Sequence, residues 1–315
     1  MTEADLVTDS RRRDLVTDSR RRDNDRASAA NAASVFLTGG QINVNEDFTD
    51  TDTVTVTEGN NFLDSCCVLR AESLEVAGGV LAGAPSAGGR VDTYGNSITV
   101  SGGQLGGGLE MADDETVTVT AGLFAPGPTE TIANLIQSGG EVSQPSRDLK
   151  VTEAFTQTGG TTSGRTIETG TFTQAGNGTI TAGTVLTADS VQLQGGTIAG
   201  TLSGPGAVTV SGGTTRLTGS IFGTTDLTVA GGRLDATGTG NIDTASDIVT
   251  VSDGTFVIDE GAIASNETLV IEGGTVTGGN LAVSSITQSG GLIAEGTMIT
   301  TRTRSTLSGG RSPAL

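Results

Sequence analysis

The chain has 315 residues, a net charge of −19, only 3% aromatic residues, and neither tryptophan nor histidine. Without histidine, Ser-His-Asp catalysis, Cys-His catalysis and histidine metal sites are excluded. Residues 27–300 carry 7 Lys and Arg against 29 Asp and Glu, which argues against a nucleic-acid partner because phosphate binding needs a basic face.

Residues 1–34 are predicted to form a charged, flexible N-terminal tail. The nine residues 5–13 recur at 14–22, and this duplicated segment lacks the apolar region of a secretory signal peptide. The alanine-rich residues 27–34 are consistent with a short helix that caps the first coil. No run of 18 apolar residues occurs in the chain, so the sequence predicts no membrane span.

From residue 35 to residue 310, a glycine pair returns about every 19 residues with similar neighbours. One copy is Val208–Gly213, with the sequence VTVSGG, and the next is Leu227–Gly232, with the sequence LTVAGG. Apolar residues two positions apart share one face of a strand, and glycine allows the positive φ that a tight corner needs. The predicted repeat corners include Gly140, Gly160, Gly196, Gly213, Gly232, Gly274 and Gly291.

The fold class predicted from this period is all-β, with one domain that forms a parallel β-helix, or solenoid, over residues 35–310. Short strands that repeat in one direction cannot pair as hairpins, so each coil must stack in parallel on the coil before it. The period indicates about 14 coils of about 19 residues, with residues 311–315 as a C-terminal tail. The handedness of parallel crossovers favours a right-handed coil.

A glutamine replaces the second apolar residue of the strand in three consecutive coils. If this position points inward, the side chains of Gln137, Gln157 and Gln174 stack as a structural ladder of hydrogen-bonded amides. If the strand is offset by one residue here, the glutamines face solvent instead.

Carboxylates are the remaining candidates for acid/base chemistry, as in glycoside hydrolysis. The candidate clusters are Asp113-Asp114-Glu115, Asp259-Glu260, and Asp47 with Asp50 and Asp52. These acids lie mostly at predicted corners, where solvated turns place charges in any case, and no aromatic residues line a cleft for sugars. The sequence therefore predicts no enzyme: no catalytic residue, no metal site and no cofactor.

Threonines alternate along several strands, which is also a feature of ice-binding β-helices. The outward threonine position is interrupted by Glu75, Gln192 and Val270. The ordinary preference of threonine for half-exposed strands explains the pattern better.

Another corner begins at Gly309 and Gly310, near three arginines and no acid in residues 301–315. An uncovered coil would present unpaired backbone groups. This leaves two alternatives: the chain is a fragment of a longer product, or its coil end docks onto another molecule. Self-association of the chain through its coil ends is the candidate for the second, with this basic segment against an acidic surface.

The repeated pattern apolar-x-apolar-x-Gly-Gly-x-apolar over residues 35–310 resembles that of filamentous-haemagglutinin-type adhesins and autotransporter passenger domains. The resemblance implies a right-handed β-helix displayed outside a bacterial cell, at the cell surface or released, that acts in adhesion, biofilm or fibre formation. The predicted function is a structural or adhesive rod whose ligand is a glycan or a host surface. The alternative is a polysaccharide-binding or polysaccharide-cleaving β-helix, such as a phage tailspike or a lyase.

Overall fold

The structure is a computed structural model, and it describes residues 14–18, 34–38, 41–44, 48–63, 68–83, 88–127, 130–204, 206–238, 240–303 and 305–308. The regular elements in these ranges are all β-strands. No helix among the described residues is long and apolar enough to cross a membrane. The chain divides into two compact units, residues 1–153 and residues 154–315.

The first unit consists of strands that stack on one another in parallel. One column of inward residues runs through Val54, Leu74, Ile98, Val117 and Leu135. The strands are Asp14–Asp18 (β1), Ser34–Thr38 (β2), Gln41–Val44 (β3), Phe48–Val56 (β4), Asn60–Leu63 (β5), Val68–Val76 (β6), Val80–Gly83 (β7), Arg90–Thr93 (β8), Ser97–Val100 (β9), Gln104–Gly106 (β10), Glu110–Met111 (β11), Thr116–Val119 (β12), Leu123–Ala125 (β13), Glu130–Gln137 (β14) and Glu141–Gln157 (β15), which ends just past this unit.

Strand β1 lies within the segment that the sequence assigns to the N-terminal tail. It pairs in parallel with β2, with Leu15 opposite Val35 and Thr17 opposite Leu37. Residues 27–33 of the expected capping helix lie outside the described residues, and Ser34 begins a strand.

The second unit repeats the same parallel stacking. Val208, Leu227, Val249, Leu269 and Ile286 follow one another in register, at steps of 19, 22, 20 and 17 residues. The strands are Thr161–Ile180 (β16), Val185–Ile198 (β17), Thr201–Ser203 (β18), Ala207–Val210 (β19), Thr214–Leu217 (β20), Ser220–Phe222 (β21), Leu227–Val229 (β22), Arg233–Ala236 (β23), Asn241–Asp243 (β24), Ile248–Val251 (β25), Thr255–Ile258 (β26), Thr268–Ile271 (β27), Thr275–Gly278 (β28), Asn280–Val283 (β29), Ser285–Gln288 (β30), Leu292–Ile293 (β31), Met298–Thr301 (β32) and Thr306–Leu307 (β33).

From β18 onward, most strands of the second unit belong to one of three stacks. One stack contains β19, β22, β25, β27, β30 and β33, and the second contains β20, β23, β26, β28 and β31. The third stack contains β18, β21 and β24, while β29 and β32 form a separate pair. In all three stacks, alternate side chains point into the coil, and the inward ones are mainly valine, leucine, isoleucine and phenylalanine.

The corner between the first and second stacks depends on glycine. Gly232 has a φ of +61°, and a Cβ atom there would lie only 2.3 Å from the carbonyl carbon of Gly212 in the preceding coil. A side chain would thus meet both a disfavoured backbone conformation and the neighbouring coil. All seven corner glycines named from the sequence have positive φ, namely Gly140, Gly160, Gly196, Gly213, Gly232, Gly274 and Gly291.

The predicted fold class is confirmed, because both units are all-β parallel solenoids and together contain about 13 turns of about 19 residues. The right-handed sense of the coil stays a prediction. The corner expected at Gly309 and Gly310 lies outside the described residues.

Candidate functional site

The glutamines of the predicted ladder are buried rather than exposed to solvent. Gln137, Gln157 and Gln174 each have 0% of their surface exposed. Within the second unit, Nε2 of Gln174 donates a 2.9 Å hydrogen bond to Oε1 of Gln157. Nε2 of Gln157 donates in turn to Oγ1 of Thr162, at 3.0 Å. The inward position is therefore occupied by amides that bond from coil to coil in this unit.

In both units, an inward glutamine donates a hydrogen bond to a corner glycine. In the first unit, Nε2 of Gln137 donates to the carbonyl oxygen of Gly140 at 3.3 Å. In the second unit, Nε2 of Gln288 donates to the carbonyl oxygen of Gly291 at 3.4 Å. An inward glutamine three residues before the corner glycine thus adds a side-chain hydrogen bond to the carbonyl group of that corner.

Glycines in the following coil make room for the amides. A Cβ atom at Gly178 would lie 2.6 Å from Cγ of Gln157, and one at Gly196 would lie 2.9 Å from Cδ of Gln174. The coil above Gln174 has Leu193 in the ladder position, and Oε1 of Gln174 has no hydrogen-bond partner among the described residues. The amide stack therefore ends at Gln174.

A buried glutamate at a corner of the first unit links two successive coils. Glu115 has 0% of its surface exposed, and its two carboxylate oxygens accept hydrogen bonds from the backbone N–H and from Oγ1 of Thr93. The hydroxyl oxygen of Thr93 also accepts a 2.8 Å hydrogen bond from the N–H of Ser97. Burial raises the pKa of Glu115 above 4.5, and the bonds from Thr93 oppose that shift.

The second unit contains the same arrangement with different residues. The carboxylate of Glu267 accepts hydrogen bonds from the N–H and Oγ1 of Thr244, at 2.5 and 2.9 Å, and the N–H of Ile248 donates to that hydroxyl at 3.0 Å. Asp247 in this turn has a φ of +56°, as Asn96 has +49° in the first unit. Burial also raises the pKa of Glu267. The two corners thus share the same arrangement of hydrogen bonds.

A third buried glutamate lacks the hydroxyl partner. Oε1 of Glu130 accepts a 2.5 Å hydrogen bond from the N–H of Met111, whose side chain offers no donor. Oε2 is buried and has no hydrogen-bond partner in the part of the chain that the structure describes. Burial raises the pKa of Glu130 to about 8, and the nearby Glu110 adds to the rise. This carboxyl group is therefore mostly protonated at neutral pH.

The carboxylates singled out from the sequence do not meet in one place. Asp113 and Asp114 are exposed, whereas Glu115 is buried beneath them. Asp259 accepts a 3.0 Å hydrogen bond from the N–H of Gly238, and Glu260 is exposed. Asp47 and the side chains of Asp50 and Asp52 lie outside the described residues. The Asp113-Asp114-Glu115 run therefore supplies one structural acid and two solvated ones.

Three carboxylates of the second unit that were not grouped from the sequence lie close together. Single oxygens of Asp243, Asp247 and Glu267 all lie within 4.8 Å of one another. Both oxygens of Glu267 already accept hydrogen bonds from Thr244, and the amide of Asn266 donates to Asp243 and Asp247. Internal hydrogen bonds therefore account for the cluster.

The outward side of the first stack of the second unit, together with the parts of β16 and β17 in register with it, carries three parallel rows of residues, which we call the hydroxyl face. Residues in each row are one coil apart, so neighbours within a row are about 4.8 Å apart. The middle row is in register over eight coils. It consists of Thr173, Gln192, Thr209, Thr228, Thr250, Val270, Thr287 and Thr306.

Two outer rows flank the middle row of the hydroxyl face, and most of their residues are threonine, serine or alanine. The row before the middle one consists of Thr171, Ser190, Ala207, Asp226, Ile248, Thr268 and Ser285. The row after it consists of Ala175, Gln194, Ser211, Ala230, Ser252, Glu272, Ser289 and Ser308. Among the residues that the structure describes, Asp226 and Glu272 are the charged members of the three rows, and no member is aromatic. Arg304, two residues before Thr306, lies outside the described residues.

Comparisons with known proteins provide no relative from which a site can be transferred. The chain matches no protein-family model, no curated protein and no solved structure.

Proposed function

We propose that this chain is a non-enzymatic structural or adhesive β-solenoid that acts outside the cell or at its surface. The observation that carries the proposal is the hydroxyl face, where similar side chains repeat in register over eight coils. A repeated surface suits contact with another extended surface, because each coil contributes a similar small interaction.

The hydrogen bonds of the buried glutamates support a structural role. Glu115 and Glu267 each accept two hydrogen bonds from the preceding coil, so their carboxylates tie successive coils together. A general acid or base must lie within reach of its substrate, and these two groups have no exposed surface. Their raised pKa values follow from burial in the coil.

The surface chemistry supports a location outside the cell. The chain is strongly acidic, which favours solubility of an extended repeat protein and limits non-specific association. The ligand that we propose is a glycan or a protein on another surface, contacted by the exposed polar turns. The resemblance to adhesin and passenger-domain repeats also supports a location outside the cell.

Attachment of cells tests this proposal. The chain is displayed on a non-adherent bacterium through a fused membrane anchor, and attachment to host cells and biofilm mass are measured. We expect an increase in at least one of them relative to the same anchor without the chain. No change in either measurement would contradict the proposed role.

A further inference from the structure

The hydroxyl face carries few charges for its size. Over residues 27–300 the chain has 29 acids and 7 bases, so two copies repel each other over most of their surfaces. Among the described residues of its three rows, the charged ones are Asp226 and Glu272, both in outer rows. A second copy therefore meets little electrostatic repulsion at this face.

From this distribution we infer that the hydroxyl face binds the hydroxyl face of a second copy of this chain. The inference rests on the proposed structural role, and it gives that role a self-association surface on the side of the solenoid rather than at its ends. One face that contacts its own copy is the arrangement of a two-fold dimer.

The dimensions of the face are sufficient for such a dimer. Eight coils at about 4.8 Å and strands of five residues at about 3.3 Å per residue give roughly 600 Å² per copy, once side-chain widths are included. Two copies would bury about 1,200 Å², which is the lower limit for a specific interface. Threonine, serine and alanine are small enough for two sheets to pack face to face at about 10 Å.

The polar atoms of the face need not lose their hydrogen bonds when the face is covered. Oγ1 of Thr268 and Oγ of Ser285 are 3.1 Å apart, so hydroxyl groups of successive coils can bond along a row. Such bonds reduce the cost of removing the hydroxyls from water. Asp226 and Glu272, in the outer rows, would remain at the solvated rim of the interface.

The composition of the face favours a second copy over a sugar chain. Sugar-binding sites commonly use aromatic side chains, since these combine a flat apolar body with a polar tip, and the three rows contain none. The hydroxyl face instead offers methyl and hydroxyl groups at a spacing that matches the same face of another copy.

Sedimentation velocity of the full chain over a wide range of concentration tests the inference. The test variant is Thr250→Glu, which puts a carboxylate near the centre of the middle row. The matched control is Thr275→Glu on β28, which is also a half-buried threonine of a strand but lies on the second stack. Circular dichroism checks that both variants fold.

We expect the wild type and Thr275→Glu to form a concentration-dependent dimer. Thr250→Glu should weaken that dimer by at least about tenfold, because two unpaired carboxylates would be buried in it. A wild type that is monomeric at every concentration would overturn the inference, and so would a dimer that Thr250→Glu leaves unchanged. If Thr250→Glu does not fold, Thr228→Glu in the same middle row takes its place, with the same outcomes. Either negative result would leave the cell-attachment test of the proposed function unaffected.

Discussion

Gln174 and Gln157 lie in successive coils of the second unit and are joined by a 2.9 Å hydrogen bond from Nε2 of Gln174 to Oε1 of Gln157. Both side chains are fully buried, in positions that other coils fill with valine or leucine. Nε2 of Gln174 also donates to the carbonyl oxygen of Gly178, at 3.0 Å. The bond thus belongs to a buried polar network whose members depend on one another.

Replacement of Gln157 by leucine should destabilise the chain. Gln157→Leu removes the acceptor of Gln174 and the donor to Thr162, so buried polar atoms are left without partners. We expect a loss of about 1–3 kcal/mol in the free energy of unfolding, measured by urea denaturation. The control is Gln192→Leu, at an outward position two coils further along, which should change stability by less than about 0.5 kcal/mol. Equal effects of the two variants would contradict an inward hydrogen-bonded amide.

The two glycines of neighbouring corners should respond differently to alanine. At Gly232, an alanine would have a φ of +61° and a Cβ atom 2.4 Å from the carbonyl oxygen of Gly212. At Gly212, a Cβ atom would meet nothing within 4 Å, and φ is not positive there. Thermal unfolding should show a loss of at least about 2 kcal/mol for Gly232→Ala. Gly212→Ala should be neutral or slightly stabilising. A Gly232→Ala variant as stable as Gly212→Ala would show that the corner is built differently.

The buried Glu130 predicts that the chain becomes more stable as the solution is acidified from pH 8 to pH 5. Its pKa is about 8 in the folded chain, against 4.5 as the ordinary value. Between these values the folded chain holds a proton that the unfolded chain has released. The free energy of unfolding therefore falls as pH rises from about 4.5 to about 8. Glu130 contributes up to about 1.4 kcal/mol per pH unit to this fall.

Glu130→Gln isolates this contribution, because glutamine mimics the protonated acid. The melting temperature of the variant should depend less on pH than that of the wild type. As pH rises from 5 to 8, the melting temperature of the variant should therefore increase relative to that of the wild type. Glu295→Gln, at an exposed position, is the control and should keep the wild-type pH dependence. A Glu130→Gln curve parallel to the wild-type curve would refute the assignment.

Thr244 should be the residue that holds Glu267 in its corner. Thr244→Val keeps the shape of the side chain but removes the hydroxyl that donates to Glu267 and accepts from the N–H of Ile248. We expect a loss of about 1–3 kcal/mol, larger at pH 8 than at pH 5, because the ionised acid depends most on that donor. Thr250→Val, on the outward side of β25, should have little effect. A pH-independent loss for Thr244→Val would count against a buried carboxylate at this corner.

The architecture could be predicted from the sequence because one local pattern repeats many times. Val208 and Leu227 are equivalent by their distance from a glycine pair, and they lie directly over each other in the structure. An error at one coil is corrected by its neighbours, since parallel stacking requires all coils to share one register. The inward direction of Gln157 was harder to predict, since the same spacing also fits an offset strand.

The burial of Glu115 and Glu267 was not predicted, because each contacts a residue that is further away along the chain than one mean period. Glu115 and Thr93 are 22 residues apart, and Glu267 and Thr244 are 23 residues apart. A sequence signal for them does exist. Each buried glutamate is followed by threonine and then by a buried aliphatic residue, at residues 115–117, 130–132 and 267–269. Among acidic runs such as Asp113-Asp114-Glu115, this pattern separates the buried acid from the solvated ones.

Incubation of the pure chain with a panel of bacterial and host polysaccharides tests whether it is a structural or adhesive solenoid without catalysis. Bound protein and released reducing sugar are measured in the same samples. We expect any polysaccharide that retains the chain to be left uncut, with no sugar released above a heat-denatured control. The opposite result would be release of sugar by the wild-type chain but not by a folded variant with alanine at Asp113, Asp114 and Glu115. That result would contradict a solenoid without catalysis.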